Sequence, residues 1–471
     1  MKKSILVTLL LAAIGVHSQE HFAGLSTSSR VGILNAGINP SELNNMSNRF
    51  EVNIFGGSFN VANNKIGFSD LTSDTDFEEL IFTGSEPVNA RFDMELYGIG
   101  VAVKHKKWGF GFYTKATGKL DLVDIDTKIG EAIANSGISS ILAPTTINNN
   151  YNQRINGTTW GEVAFSASRN IMDSEKHKFN VGATFKLLFP GSYANLGLDK
   201  FSGTITNVGT TAYLSGVSNA SLNIAYSGGL ADSFSNFDDY SKSVFGGMNG
   251  FATDLGFNYQ WKDDVKDIDE SDEKAVKKIK NQYKNKYKLN AGMSIRNIGS
   301  MTFKDDNNYS TDYVLNIPNA TIANPGLDLS IFENVESLDE VEAILISEGY
   351  LNKTQAEKKD FKVKLPTTFT AYADLKLVSK LFVSGFIQQK LTDDSNNDQI
   401  TAQNILTITP RFNTGFFEVY APLTNSEVSG FNAGVGLRLG GFYLGSGSII
   451  TALANDSKQA DIYTGFRWAF L

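Results

Sequence analysis

The 471-residue chain contains no cysteine, which excludes a disulfide framework, a thiolate metal site and a lipid carried on an N-terminal cysteine. Proline is scarce, at 9 residues. After residue 18 no apolar run approaches the roughly 20 residues that a membrane helix needs, so a helical bundle in the bilayer is excluded. Basic residues (42) are outnumbered by acidic ones (50), for a net charge of -8. That argues against the clustered positive surface that neutralises phosphates, and so against nucleic acid as a partner. Histidine occurs only 4 times: His17 falls in the leading apolar stretch, His21 follows it, and His105 and His177 lie in tight turns. None has a second histidine or a carboxylate at metal-binding spacing, and each of the last three reads as a surface residue. Gly98-Ile99-Gly100 is followed by Val103 where a phosphate loop requires a third glycine. Asp393 to Asp398 has the look of a calcium loop, but Asn404 stands where the bidentate glutamate belongs, so a polar hairpin loop is expected. With no nucleophile elbow and no paired-acid motif, the chain is expected to be no enzyme, with no metal and no cofactor.

What it has in quantity is glycine (43), phenylalanine (33) and tyrosine (17), a β-rich profile. The N-terminus comes first. Met1-Lys2-Lys3 is basic, Ile5 to Val16 is apolar, and Ser18 is a small residue before Gln19, so residues 1–18 read as a cleaved secretory signal. The body of the chain then alternates. Trp108, Phe110 and Phe112 oppose Gly109, Gly111 and Tyr113; Phe369, Ala371, Ala373 and Leu375 oppose Thr370, Tyr372, Asp374 and Lys376. A period of two puts these sets on opposite faces of a sheet.

Alternation fits a soluble sandwich or a membrane barrel, and three features favour the barrel. Most runs reach 10 to 14 residues, suiting tilted membrane strands of about 9 to 11 residues plus a rim rather than sandwich strands of roughly five or six. Turns at 105–107, 378–380, 413–414 and 439–441 are tight, whereas the connections at 123–157 and 305–363 are long, a barrel habit. The C-terminal run places Phe466, Trp468 and Phe470 on one face and resembles the terminal strand that the barrel assembly machinery recognises, except that Leu471 follows the last aromatic. The expected fold is all-β: a transmembrane antiparallel barrel of about 14 strands over residues 49–471, preceded by an N-terminal hatch-like segment at 19–48. Strand candidates include 200–226, inside the Gly- and Ser-rich stretch 190–248, which reads either as one long outer excursion or as two further strands.

Helical insertions are expected near 263–288 and 328–360. The first opens with seven carboxylates (Asp263 to Glu273) and closes with seven lysines (Lys274 to Lys288), a polarity that suits the helix dipole. In the second, Ser337 and Glu340 are spaced as a capping box and Gly349 stands at the end. Thr127 to Leu142 is a third candidate, interrupted at Gly137. Each reads as a solvated connector or lid, with a docking helix as the alternative.

Gly37-Ile38-Asn39-Pro40-Ser41-Glu42-Leu43, just before the first strand, resembles the Asn-Pro-small motif that opens FadL-type and PorV-like barrels. Leu365-Pro366-Thr367-Thr368-Phe369 is a second shared feature. Gly247 to Tyr259 and Asn297-Ile298-Gly299-Ser300 are similar to patterns in uncharacterised outer-membrane barrels of Bacteroidota. The FadL resemblance implies an outer-membrane location, surrounding outer-membrane lipid, a lumen plugged by a hatch in which Asn39 and Pro40 are hatch or turn residues, and passive passage of a hydrophobic or small solute. The PorV resemblance implies instead a non-transporting scaffold that binds a protein partner, linked to type IX secretion.

Overall fold

The computed structural model describes residues 21–28, 32–70, 80–134, 144–228, 246–263, 287–304, 309–332, 335, 337–354, 360–454 and 456–470. Among them the alternating runs form a closed antiparallel barrel of 14 strands. These are β1 (Phe50–Asn63), β2 (Val88–His105), β3 (Trp108–Ile125), β4 (Asn152–Asp173) and β5 (His177–Asp199). They continue with β6 (Gly250–Lys262), β7 (Tyr287–Phe303), β8 (Thr368–Val378), β9 (Leu381–Lys390) and β10 (Ile405–Asn413). Two interrupted strands follow, β11 (Phe417–Tyr420 with Leu423–Ser426) and β12 (Gly430–Ala433 with Val435–Leu439), then β13 (Phe442–Ser446) and β14 (Gln459–Phe470). Each strand pairs with the next, and β1 pairs with β14 from Phe50 opposite Phe470 to Ala62 opposite Gln459, so no barrel strand is left as a free edge.

The period-two pattern decides which face looks out. On β6, Phe251, Leu255, Phe257 and Trp261 are exposed while Ala252, Asp254, Asn258 and Gln260 are buried. On β14, Phe466 and Trp468 are exposed and Tyr463 and Arg467 are buried; Phe470 pairs with Phe50 at the strand end. An apolar outside around a charged, hydrogen-bonded inside is the reverse of a soluble protein, and it fits a barrel whose outer band meets hydrocarbon. The barrel's two ends differ. Tight turns at 106–107, 174–176, 379–380, 414–416 and 440–441 gather at one end, where β1 begins and β14 finishes.

Two sequence expectations need correction. The run 200–226 is not a barrel strand: it breaks at Gly209 and Gly216, both with φ of +67°, into Ser202–Val208, Thr211–Ser215 and Val217–Ser227. The first two join Thr145–Asn148 and Leu327–Asp328 in a separate four-stranded sheet. The third pairs with the outer part of β5, from Tyr193 to Asp199, and with Tyr309–Ile317. Together with helices α1 (Thr127–Ala134) and α2 (Leu338–Ser347) these strands bury Phe201, Ile205, Leu222, Tyr313 and Leu338 in a core above the long-loop end of the barrel. The second correction concerns Ser337. It occupies the N-cap of α2, but its side chain makes no capping hydrogen bond; burial of Leu338 and Leu345 against the cap core holds the helix instead, and Gly349 follows it at φ +75°. Positions 135–142 of the third helix candidate and 264–286 of the first insertion lie outside the described residues, and Tyr287 and Lys288 belong to β7.

If the exposed band faces lipid, Leu255→Arg, midway along the outward face of β6, costs about 2–4 kcal/mol in equilibrium unfolding from lipid vesicles. Ile322→Arg, on a fully exposed loop beyond the barrel, shifts stability by less than about 0.5 kcal/mol. Equal effects at the two positions contradict a lipid-facing band.

Candidate functional site: the plugged lumen

The lumen is occupied from both ends. From the tight-turn end, residues 21–28 and 32–46 enter the barrel as a hatch: a turn at 22–28, a short helix at Gly32–Ile38 and a 3-10 turn at Pro40–Asn45. Nearly every described residue of this segment is buried. Phe22, Leu25, Ile33, Leu34 and Leu43 pack against the inward tyrosines Tyr97, Tyr113, Tyr420, Tyr443 and Tyr463, so the hatch supplies one of the lumen's apolar clusters.

Asn39 and Pro40 stand at the centre of this contact. Proline at the first position of the 3-10 turn suits a residue without an amide proton, and Asn39 caps the turn by accepting from the Ser41 amide (3.1 Å) and the Ser41 hydroxyl (2.6 Å). Its Nδ2 donates to the Phe257 carbonyl (2.9 Å), the Met293 carbonyl (3.3 Å) and the Tyr372 hydroxyl (3.1 Å), tying the hatch to β6, β7 and β8. Glu42 gathers four donors: the Tyr372 hydroxyl, Asn258 Nδ2 (2.8 Å), Asn290 Nδ2 (3.0 Å) and Asn45 Nδ2 (2.8 Å). Asn45 in turn accepts from Lys178 (2.8 Å) and Asn180 (2.9 Å). The wall makes room with glycine: a Cβ on Gly182 would lie 2.5 Å from the Ser41 nitrogen, and one on Gly256 would collide with Asn39 Oδ1.

From the opposite end, the loop between β9 and β10 folds inward. Residues 399–403 are buried, because the wall offers charged partners to the loop backbone. Arg154 donates to the Asp394 carbonyl (2.5 Å) and the Gln399 carbonyl (3.1 Å); Arg91 pairs with the Asp394 carboxylate (2.8 Å); Thr401 donates to Asp121 (2.6 Å). The expected polar loop at Asp393 to Asp398 stays mostly exposed, and the run that follows it, 399–403, forms an inner constriction. Asp393 accepts from the Ser395 amide (3.0 Å) and hydroxyl (2.7 Å), and these bonds hold its carboxyl below the usual range. Among the described residues no cluster of three metal-ligating side chains occurs.

Between hatch and loop remains a cavity of about 70 Å³. Phe22, Leu34 and Ile38 of the hatch, Trp160, Pro366 and Phe386 of the wall and Ala402 of the loop form its apolar lining. Its charges are paired: Lys115 lies 2.7 Å from Glu95, Lys119 2.5 Å from Asp93 and Lys186 2.9 Å from Asp254. Arg296 differs. Its described partner is the Gln388 side-chain oxygen at 2.5 Å, and its buried Nε has none among the described residues. A bulge explains its position. Between Ile295 and Ile298, β7 carries two residues opposite the single Asp254 of β6, and Asn297 adopts φ +58°, so the side chains of Arg296 and Asn297 both line the cavity.

The histidines fall in two places. His105 and His177 lie at tight turns, and His177 shares a hydrogen bond with the Tyr259 hydroxyl (2.7 Å). His21 is not a surface residue: it lines the cavity and bonds Ser58 Oγ (3.0 Å), because the segment that follows it turns into the barrel. Sequence reasoning missed Lys115, Lys186, Arg296 and Gln388 as a group. Their signal was charge or amide on the face opposite the aromatics, spread over four strands.

Comparison with known proteins adds a family. A family described as being of unknown function, DUF5723, matches residues 43–447. The chain belongs to the DUF5723 family. None of the curated proteins compared matches it. Among solved structures, the toluene transporter TbuX of Ralstonia pickettii is similar at a TM-score of 0.42 and 11% identity, covering 98% of this chain and 100% of that one. The P. putida toluene transporter TodX is similar at a TM-score of 0.42 and 8% identity, over 92% of this chain and 94% of that one. The translocator domain of the autotransporter NalP from Neisseria meningitidis is similar at 0.30 and 7%, over 89% and 88%.

For this DUF5723 barrel, the hatch contact gives a prediction. Glu42→Ala leaves the Tyr372 and Asn290 donors without their acceptor, at about 1–3 kcal/mol for each donor left unpaired. Amide hydrogen exchange at residues 32–46 then accelerates while exchange in β1 to β5 is unchanged; uniform acceleration would mean that the hatch is not a separate unit.

Proposed function

We infer that this protein is a FadL-like outer-membrane channel, exported by the signal at residues 1–18, with its tight-turn end in the periplasm, that passes a hydrophobic or small amphipathic solute. The observation carrying this reading is the narrow cavity between hatch and loop. An apolar body fits against Phe22, Trp160 and Phe386, and the incompletely paired guanidinium of Arg296 suits a polar or anionic end. Size adds a constraint. An engineered apolar cavity of about 150 Å³ holds benzene, so a space of about 70 Å³ takes such a ring only after hatch or loop moves. The channel is therefore shut at rest, and passage couples solute entry to displacement of a plug. The scaffold alternative linked to type IX secretion gains no observation of its own from the lumen. Recognition of Phe466, Trp468 and Phe470 by the barrel assembly machinery belongs to the same proposal.

The test is uptake into proteoliposomes with a panel comprising a monoaromatic hydrocarbon, a medium-chain carboxylic acid and a disaccharide. The wild type admits the first two above protein-free vesicles and excludes the sugar. Arg296→Gln lowers uptake of the acid by about tenfold, the loss of one charge-assisted hydrogen bond, and leaves the hydrocarbon unchanged. Arg154→Ala, which releases the loop, raises ion conductance in planar bilayers. No uptake of any apolar solute, with the protein folded, rejects the channel reading.

A further inference from the structure

The outer face of the barrel carries a groove distinct from the lumen. It lies over β2, β3 and β4 near the tight-turn end as an open depression of about 420 Å³, bordered by Val101, Val103, Phe110, Phe112 and Phe165 with Ala167 among them. The register explains it. Phe112 stands opposite Phe165 with ring centroids 5.3 Å apart, a ridge, whereas Phe110 stands opposite Ala167, a position without bulk. Next along β4, beyond the small residue and closer to the tight turns, Arg169 stands opposite Trp108, its guanidinium 5.1 Å from the ring, and Trp108 stacks on Phe110 at 5.9 Å. Arg169 is exposed and makes no ion pair or hydrogen bond among the described residues. The nearest acid along its strand, Asp173, is engaged by Lys262.

A hydrocarbon-lined groove with an exposed guanidinium over a tryptophan one residue pair beyond it has the chemistry of one occupant. The chain of a lipid fills the groove, and a phosphate meets the cation where a membrane's headgroups begin. A zwitterionic lipid brings its own ammonium next to that phosphate and weakens the attraction. We propose that this groove is a binding site for one anionic phospholipid of the leaflet at the tight-turn end, its acyl chain over Ala167 and its phosphate on Arg169. The proposal depends on the barrel sitting in a bilayer and not on what passes through the lumen.

Native mass spectrometry of the full-length protein released from detergent micelles, doped with equal amounts of phosphatidylglycerol and phosphatidylcholine of identical chains, tests it. The wild type retains one phosphatidylglycerol in preference to phosphatidylcholine by about fivefold, the expected effect of one basic residue near an anionic headgroup. Arg169→Gln brings the ratio to near one while lipid is still retained; Ala167→Phe, which fills the groove, lowers retention of both lipids. Lys288→Gln removes the comparable cation 4.7 Å from Trp261, outside the groove, and leaves the ratio unchanged. Folding of each variant is checked by the heat-dependent shift in gel mobility. A wild-type ratio near one, an undiminished preference in Arg169→Gln, or an equal loss in Lys288→Gln overturns the site and leaves only non-specific annular lipid.

Discussion

In hydrocarbon no water is available to a free amide, so a sheet crossing a membrane must leave no edge. The pairing of β1 with β14 meets that requirement, and the rest of the molecule follows from it. Closing 14 strands encloses a lumen too wide for the wall's own side chains to fill. Because the outer face is spent on lipid contact, the polar face of every strand points inward, and the interior becomes a place where charges must find one another.

They do so across strands. Arg411 bonds Asp374 of β8 at 2.6 Å and forms an ion pair with Glu418 of β11 at 3.1 Å; Glu418 also meets Arg438 of β12 at 2.8 Å; Arg467 meets Glu51 across the closing seam at 2.6 Å. Buried pairs of this kind add little net stability over apolar packing, but removing one partner leaves a charge that the interior cannot solvate. Such pairs therefore specify which strands are neighbours more than they strengthen the barrel. The hatch enters the same network: the Ser28 hydroxyl donates to Glu418 at 3.0 Å and the Ile33 amide to Glu51 at 3.2 Å, so the plug is held by groups that also define the wall.

This division explains what could be read from the chain beforehand. Strand existence and facing were legible at Trp108 to Phe112 and Phe369 to Leu375, because lipid contact enforces a strict period of two. The run 200–226 carries similar β-favouring residues yet lies outside the barrel, since its alternation serves a water-facing cap core and nothing local distinguishes one hydrophobic destination from another. Asn39-Pro40 was legible as a chain-turning motif, but its bonds to Phe257, Met293 and Tyr372 join residues more than two hundred positions away. Asn297-Ile298-Gly299-Ser300 stood out only by resemblance, and its physical content, a bulge that turns two adjacent side chains into the lumen, depends on the count of residues on the neighbouring strand. The inward path of residues 399–403 had no local signal, because Arg91, Arg154 and Asp121 on other strands determine it.

The two plugs also differ in how they are held, and that difference orders their mobility. The hatch buries apolar side chains against five tyrosines and adds a hydrogen-bonded cluster around Glu42. Displacing it exposes apolar surface and orphans several donors together. The loop at 391–404 is held mainly by polar contacts: Arg154, Asn152 and Tyr193 donate to its carbonyls, Arg91 and Lys390 pair with Asp394, and Thr401 donates to Asp121, with Ile400 as its buried apolar anchor. Those contacts exchange more readily for water or for a polar solute entering from the same end, since a guanidinium such as Arg154 keeps its donors whichever acceptor faces it. In the proposed channel the loop is therefore the plug whose contacts a polar solute can replace, and the hatch is the one whose displacement exposes apolar surface.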